Sequence, residues 1–270
     1  KYKASCIDSR EEKAEKLMKL YTNKGGSGDK TFLLLHGLGC NGDVWKGLIS
    51  KINQAKAGKW IAPDLRGHGR SDWGEEYCAG YHANDLATIL NNESNIIVVG
   101  HSMGAFIGII LALGIYNLDI KFVLGIGQKT KWLIHEKKKL FEFAEKPVHI
   151  FRTKSEALMR YLKVSGLTGI IDVNDPRLNN AIIKNKRGYA LAADPRTVLV
   201  AGSPIGLFQA ASYNTKIRLV CGEYDNVTNL KSLQELDKKA FELRGLSHNA
   251  HVEDPTVIWE ILENLEEEYL

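Results

Sequence analysis

Apolar residues along this chain are grouped into short continuous runs rather than spread evenly. Six of these runs have the length and composition of β-strands, and their apolar residues are mostly consecutive rather than alternating with polar ones, as in strands buried on both faces. Segments with the apolar spacing of helices lie between several of them, at residues 44–52, 81–90 and 105–115. This order predicts an α/β fold with a mostly parallel central sheet and helices on both faces. The predicted strands are residues 31–35, 59–62, 96–99, 121–126, 217–221 and 240–243.

The alternation of strands and helices is interrupted between residue 128 and about residue 214, where no comparable strand-like run occurs. This interruption predicts a helical lid inserted between two strands, at the edge of the sheet where α/β proteins bind ligands. We therefore divide the chain into a core of residues 1–127 and 213–270, which ends in a helix at 255–269, and a cap of residues 128–212. The helical patterns of the cap lie at residues 132–144, 155–164 and 177–185.

Charge and cysteine content exclude several classes of protein. The 36 basic and 32 acidic residues leave a net charge of +4, with no basic stripe, so we expect no nucleic-acid partner. No apolar stretch approaches the roughly 20 residues of a membrane span, so we expect no stable membrane anchor. The four cysteines are far apart, which favours reduced thiols and a cytoplasmic protein. A chain that begins at Lys1 is also compatible with a leader that has been removed.

Cofactor motifs are absent from the sequence. It contains neither a dinucleotide-binding G-x-G-x-x-G that opens a helix nor a phosphate-binding G-x-x-x-x-G-K-[ST] loop, and no ligand cluster has the spacing of a metal site. We therefore expect no cofactor and no metal. The expected partner is a small-molecule substrate, and the expected state is a monomer or homodimer.

The residues with the clearest chemical meaning are 100–104, which read Gly-His-Ser-Met-Gly and directly follow a predicted strand. They fit the G-x-S-x-G pattern, in which a sharp strand-to-helix turn requires small residues two positions either side of the serine. Such a turn exposes the hydroxyl of Ser102 beside the N-terminus of the next helix. The pattern therefore predicts a nucleophilic serine.

A serine hydroxyl needs a base within hydrogen-bond reach and a carboxylate that orients the base. For this type of turn the acid and then the base follow the serine along the chain. Asp225 and His248 each follow a predicted strand and are the favoured pair. Glu223 and His251 are the competing candidates. For His251 we expect instead a surface or helix-start position with a structural hydrogen bond.

An oxyanion needs two positioned N–H donors. We expect them to be the backbone N–H groups of Met103, at the start of the helix, and of Leu38, in the glycine-rich segment 36–39 after the first predicted strand. The candidate pocket residues are His36, Gly37, Trp45, His101, Trp132, Phe141 and Tyr161.

Four motifs in this order resemble the α/β-hydrolase superfamily, specifically its lidded single-domain serine hydrolases of the esterase or lactonase type. They are residues 36–39, 63–71, 100–104, and 222–225 with 247–255. The resemblance implies that Ser102 is the nucleophile, His248 the general base and Asp225 the orienting acid. It also implies a structural role for residues 64–71. Glu253 and Pro255 stand five and seven residues after His248, as in the family pattern, although Ser247 replaces its usual glycine.

The leading hypothesis is therefore a serine hydrolase that cleaves a carboxylic ester or lactone of a small, largely apolar substrate through an acyl-enzyme. The same triad could instead hydrolyse a carbon–carbon bond or catalyse a lyase reaction. Two further hypotheses are an acyltransferase and a receptor that binds its ligand with slow or no turnover. Fold-level analogy does not choose among them.

Overall fold

The computed structural model describes residues 18–269, which are built around a seven-stranded sheet. Its strands are β1 (Thr22–Gly26), β2 (Thr31–Leu35), β3 (Lys59–Pro63), β4 (Ile96–His101), β5 (Ile120–Ile126), β8 (Lys216–Gly222) and β9 (Phe241–Leu243). The spatial order is β1-β3-β2-β4-β5-β8-β9, with only β1 antiparallel to its neighbour. The predicted α/β class and parallel sheet are confirmed.

Helices cover both faces of this sheet. Alternate residues of β2 show the arrangement, because Phe32 and Leu34 belong to one buried apolar cluster and Leu33 and Leu35 to another. The helices are α1 (Lys46–Ala55), α2 (Ala79–Ile89), α3 (Met103–Leu111), α4 (Ile134–Ala144), α5 (Lys154–Val164), α6 (Ile205–Ser212), α7 (Leu230–Gln234), α8 (Ala250–Glu253) and α9 (Pro255–Tyr269). Helices α1, α8 and α9 contribute to the first cluster, and α2, α3 and α6 to the second.

The strand β1 was not predicted, because its sequence Thr-Asn-Lys-Gly-Gly contains no large apolar residue. It forms by antiparallel pairing with β3 at the sheet edge, in register from Thr22 opposite Pro63 to Gly26 opposite Lys59. Gly25 lies against the Trp60 ring, where a methyl group would come within 2.6 Å of the ring. The strand β1 therefore forms because it pairs with β3 and packs closely against Trp60. Neither contact produces an apolar pattern in the sequence.

Residues 128–212, the proposed cap, contain α4, α5 and α6 but also a β-hairpin. The helical pattern predicted at 177–185 was wrong, since β6 (Ile182–Asn185) and β7 (Gly188–Leu191) pair antiparallel there. A local turn explains the difference: Arg187 N–H donates to Asn185 Oδ1, and Gly188 has φ +142°, which L side chains rarely adopt. The predicted all-helical lid is thus a mixed segment.

The end of the proposed cap is bound to the loop after β3. Gly69 N–H donates to the Ala192 carbonyl, and Asp194 N–H donates to the Gly67 carbonyl. The Tyr77 hydroxyl donates to the Asp194 carboxylate at 2.7 Å. These contacts join two segments that are distant from each other in the chain.

Two further sequence expectations concern membranes and thiols. Between residues 18 and 269, no helix combines the length and hydropathy that a membrane crossing requires. Cys40, Cys78 and Cys221 are free thiols, and Cys6 lies outside the described residues.

Candidate active site

Ser102 lies at the turn between β4 and α3. Its backbone has φ +50° and ψ −110°, a region that residues with a side chain seldom occupy. The surrounding structure holds this strain, since Ser102 N–H donates to the Ile126 carbonyl at the end of β5. Strain retained at one serine at the end of a central strand points to a functional role.

The glycines on either side of this turn are required by space. A methyl group on Gly104 would overlap the backbone oxygen of Leu35, and one on Gly100 would lie 2.5 Å from the backbone nitrogen of Ala105. The helix α3 therefore begins in direct backbone contact with β2. This contact leaves the first turn of α3, with N–H groups that have no partner within the helix, beside Ser102.

Asp225 and His248 form a hydrogen-bonded pair. Nδ1 of His248 lies 3.0 and 2.9 Å from the two carboxylate oxygens of Asp225. The Asp225 side chain is fully buried, and its Oδ1 also accepts from the N–H groups of Val227 and Thr228. Because a carboxylate only accepts, Nδ1 carries the hydrogen, and the Nε2 atom of a neutral His248 can accept a proton.

The competing acid and base have different surroundings. Glu223 turns away and accepts the N–H of Gly245 on the exposed side of the loop. His251 is only 1% exposed, and its ring stacks between those of Trp45 and His101, with centroid distances of 4.4 and 4.3 Å. Neither of its ring nitrogens has a hydrogen-bond partner within residues 18–269. His251 is the second residue of α8, so the expected helix-start position is confirmed, whereas the expected structural hydrogen bond was wrong.

Two contacts place His248 close to the turn that carries Ser102. The rings of His101 and His248 lie 4.7 Å apart between centroids. Gly127 directly follows Ile126, whose carbonyl accepts the Ser102 N–H. A methyl group on Gly127 would lie 2.9 Å from His248 Nδ1, so there is no room for one. Among the described residues, the Ser102 hydroxyl has no hydrogen-bond partner of its own. It is therefore free to bond a substrate or a base.

The segment 36–39 lies against this turn. A methyl group on Gly37 would lie 2.5 Å from His101 Nδ1 and 3.5 Å from the Ser102 Cβ. The predicted oxyanion donors are thus on the two segments that meet at the serine: Leu38 on this loop and Met103 at the first position of α3. No acceptor contacts the Leu38 N–H within the described chain.

The loop after β3 begins with a carboxylate that hydrogen bonds hold in place. Asp64 is fully buried and accepts hydrogen bonds from the N–H of Gly42 and from the backbone and guanidinium of Arg70. Burial alone would raise the pKa of Asp64, but the hydrogen bonds from Arg70 and Gly42 hold it below its usual value. This agrees with a structural role for residues 64–71.

The candidate pocket residues have three kinds of surroundings. His101 and Gly37 adjoin the serine, and Trp132 is partly exposed with Lys129 Nζ 4.4 Å from its ring centroid. Phe141 is 62% exposed on α4. The remaining three, His36, Trp45 and Tyr161, have almost no exposed surface, and the last two belong to an apolar core cluster. These three side chains are buried and Phe141 is exposed to solvent. No observed contact places any of the four side chains beside Ser102.

A profile of the Alpha/beta hydrolase family matches residues 32–261, which is well over half of the chain. The chain belongs to this family. Among the curated relatives of this chain, "Lipase LipV" of Mycobacterium tuberculosis is 34% identical over 90 residues, 33% of each chain. "Probable protein phosphatase methylesterase 1" of Caenorhabditis elegans is 33% identical over 107 residues, 37% of this chain and 28% of that one. The chain thus spans about a third or less of these two relatives.

Solved structures resemble this chain over most of its length. A "Putative Hydrolase from Rickettsia typhi" has a TM-score of 0.74 at 18% identity, covering 93% of this chain and 92% of that one. At this identity the likeness supports the fold alone. Within residues 18–269, no group of three His, Cys, Asp or Glu side chains is arranged to hold a metal ion.

Sequence reasoning missed two contacts that hold the loop of the candidate base His248. His101 Nε2 lies 2.9 Å from the backbone oxygen of His248. Asn249, 1% exposed, donates from Nδ2 to the carbonyls of Ser165 and Gly166 at the end of α5. Adjacency to Ser102 and His248 in the sequence was the only available signal for either residue.

Proposed function

We propose that this protein is a serine hydrolase that cleaves a carboxylic ester or lactone of a small, largely apolar substrate through an acyl-enzyme. The observation that carries the proposal is the convergence of a strained, unpartnered Ser102 with the hydrogen-bonded His248–Asp225 pair at one edge of the sheet. Membership of the family supports a hydrolase. Two relatives named as a lipase and a probable methylesterase support an ester as the bond cleaved.

In the proposed reaction, Ser102 Oγ attacks the carbonyl carbon of the substrate while His248 Nε2 takes the hydroxyl proton. Asp225 holds the His248 ring through Nδ1–H and stabilises its protonated form. The N–H groups of Leu38 and Met103 stabilise the oxyanion. The proton passes from His248 to the leaving alcohol, and the acyl group stays on Ser102.

Hydrolysis of this acyl-enzyme repeats the same steps with water. His248 Nε2 removes a proton from water as the water attacks the acyl carbon. When the second tetrahedral intermediate collapses, His248 returns that proton to Ser102 Oγ and the carboxylic acid is released. For a lactone, acid and alcohol leave as one hydroxy acid.

The preference for an apolar substrate is supported by the surroundings of α3. Met103 and Phe106, in its first turn, share an apolar cluster with Val200 and Phe208 of the proposed cap, and Leu38 packs against the same cluster. The carboxylate of Glu223 is exposed and accepts the N–H of Gly245. An uncharged acyl group suits such surroundings better than a charged one.

The test is hydrolysis of p-nitrophenyl esters of increasing acyl length, and of an aliphatic lactone, by the wild type and Ser102→Ala. We expect the variant to lose at least about a thousandfold in kcat/KM. Ser50→Ala is the matched control, since Ser50 is exposed on α1, and it should retain wild-type activity. Equal turnover by Ser102→Ala and the wild type would reject Ser102 as the nucleophile.

A further inference from the structure

The loop that carries the proposed oxyanion donor uses most of its backbone N–H groups internally. Gly39 N–H donates to His68 Nε2 at 3.1 Å, and Cys40 N–H donates to the Gly37 carbonyl. Of the three N–H groups at positions 38–40, only that of Leu38 has no acceptor within residues 18–269. The direction of this loop therefore depends on where its Gly39 N–H is held.

Gly39 does not determine that direction by itself. Its φ of +74° lies in the left-handed region, which glycine enters about as readily as the right-handed one. A peptide flanked by such a residue rotates easily unless a partner holds it. The external partner observed for its N–H is the His68 ring.

The His68 ring is held in one orientation and one tautomer. Nδ1 lies 3.0 Å from the backbone oxygen of Arg66, and a carbonyl only accepts, so Nδ1 carries the hydrogen. Nε2 is then the acceptor that Gly39 N–H requires. The side chain is fully buried, and burial, reinforced by neighbouring His36, lowers the pKa of His68 to about 3. The ring therefore remains neutral at ordinary pH.

The backbone around His68 is held by the proposed cap. Hydrogen bonds from Gly69 N–H to the Ala192 carbonyl and from Asp194 N–H to the Gly67 carbonyl flank it on both sides. The neighbouring ring of His36 lies 5.1 Å away edge-on, and its Nε2 accepts the Leu65 N–H. A continuous chain of contacts thus runs from the cap through His68 to the loop beside Ser102.

We propose that His68 is a positioning residue for the oxyanion site: by accepting the Gly39 N–H, it turns the loop so that the Leu38 N–H faces the reacting carbonyl. This inference rests on the proposed function, and it adds a residue on which the donor's geometry depends. His68 itself contacts neither Ser102 nor His248 in the observed hydrogen bonds. Its effect is on the transition state, where the oxyanion develops, rather than on substrate binding.

The experiment compares His68→Phe, which keeps a ring but removes the acceptor, with His68→Gln, whose side-chain oxygen can accept the Gly39 N–H. His82→Phe is the matched control. His82 is also buried, 1% exposed, and its ring nitrogens have no partner in the described chain. For each variant, kcat and KM are measured on the best p-nitrophenyl ester, together with inhibition by an alkyl boronic acid and by the product carboxylate. Thermal unfolding shows that each variant is folded.

We expect His68→Phe to lose about tenfold to a hundredfold in kcat with KM within about twofold, and to bind the boronic acid more weakly by a similar factor. Binding of the carboxylate should change little, and His68→Gln should recover part of kcat. His82→Phe should keep wild-type kcat.

The inference is overturned if folded His68→Phe keeps wild-type kcat. It is also overturned if His68→Phe binds the boronic acid and the product carboxylate more weakly by the same factor. It is also overturned if His82→Phe loses as much kcat as His68→Phe. These outcomes are separate from failure of the proposed function, which appears as undiminished ester hydrolysis by Ser102→Ala.

Discussion

His101 supports His248 through the backbone of the candidate base, since His101 Nε2 lies 2.9 Å from the His248 carbonyl oxygen. Because that oxygen only accepts, Nε2 of His101 carries the hydrogen, and its Nδ1 is buried against Gly37 without a partner in the described residues. Burial, reinforced by His251 and His248, keeps the pKa of His101 well below its ordinary value. A neutral histidine next to the candidate nucleophile thus holds the loop of the candidate base.

Loss of this hydrogen bond should reduce catalysis without preventing folding. We expect His101→Phe to lower kcat about tenfold with little change in KM, and His101→Gln, whose amide can still donate, to recover part of it. Steady-state kinetics on one ester provide the measurement. Wild-type kcat in folded His101→Phe would show that the bond does not position His248.

The two acidic residues of the segment 222–225 should differ sharply in their importance. Asp225→Asn removes the charge that orients and stabilises His248, so kcat should fall by about ten-thousand-fold. Glu223→Gln is the matched control, because a glutamine oxygen can still accept the Gly245 N–H, and its kcat should stay within about twofold of wild type. A larger loss in Glu223→Gln than in Asp225→Asn would reverse the assignment of the acid.

The turn around Ser102 should have no room for even a methyl side chain at Gly104. Gly104→Ala would drive a methyl group into the backbone oxygens of Leu35 and His36, and we expect it to destabilise the fold by about 3 kcal/mol. In Gly80→Ala, the nearest atom to the new methyl group is Cys78 Sγ at 3.9 Å.

Since Gly80 lies in α2, that control should be neutral or stabilise by up to about 1 kcal/mol. Urea unfolding of both variants measures the difference. Equal stabilities would show that the contact between α3 and β2 is less close than described.

Buried neutral histidines should make the protein sensitive to acid. Burial is the largest cause that lowers the pKa of His68 and of His251, each to about 3 against an ordinary 6.5. Above pH 6.5 these residues are neutral in both states, so they add no pH dependence. Between pH 6.5 and 3 the unfolded chain binds protons that the folded chain does not, so stability falls as pH falls. At pH 5 each residue should lower the free energy of unfolding by about 2 kcal/mol.

His251→Phe tests this dependence, because a phenyl ring can keep the stacking on Trp45 without titrating. Urea unfolding at pH 7 and pH 5 should show a smaller loss of stability in this variant than in the wild type, by about 2 kcal/mol. An identical loss in both proteins would show that His251 is not responsible.

The parallel strands were predictable because most of their apolar residues are consecutive, as in β4, and burial on both faces favours such runs. The strand β1 and the hairpin of β6 and β7 were not. The strand β1 forms by pairing with β3, and the hairpin depends on the turn at Asn185. Both features are contacts in the folded protein and do not show in the residue composition of the strands. Secondary structure that depends on partners distant in the chain leaves little local signal.

The same distinction applies to the candidate site. Ser102, Asp225 and His248 were chosen because each follows a predicted strand, and parallel strands bring such loops to one edge. The surroundings of His251 could not be predicted, because its burial depends on the rings of Trp45 and His101. The contact of His68 with Gly39 was equally hidden, since it depends on how two loops and the proposed cap meet.

The most direct test of the account is covalent labelling with a fluorophosphonate followed by peptide mass spectrometry. We predict one phosphonyl adduct per chain, on Ser102, that is absent in Ser102→Ala and forms much more slowly in His248→Ala. A folded wild-type protein that acquires no adduct on Ser102, or one that is labelled equally fast without His248, would contradict the proposed nucleophile and base.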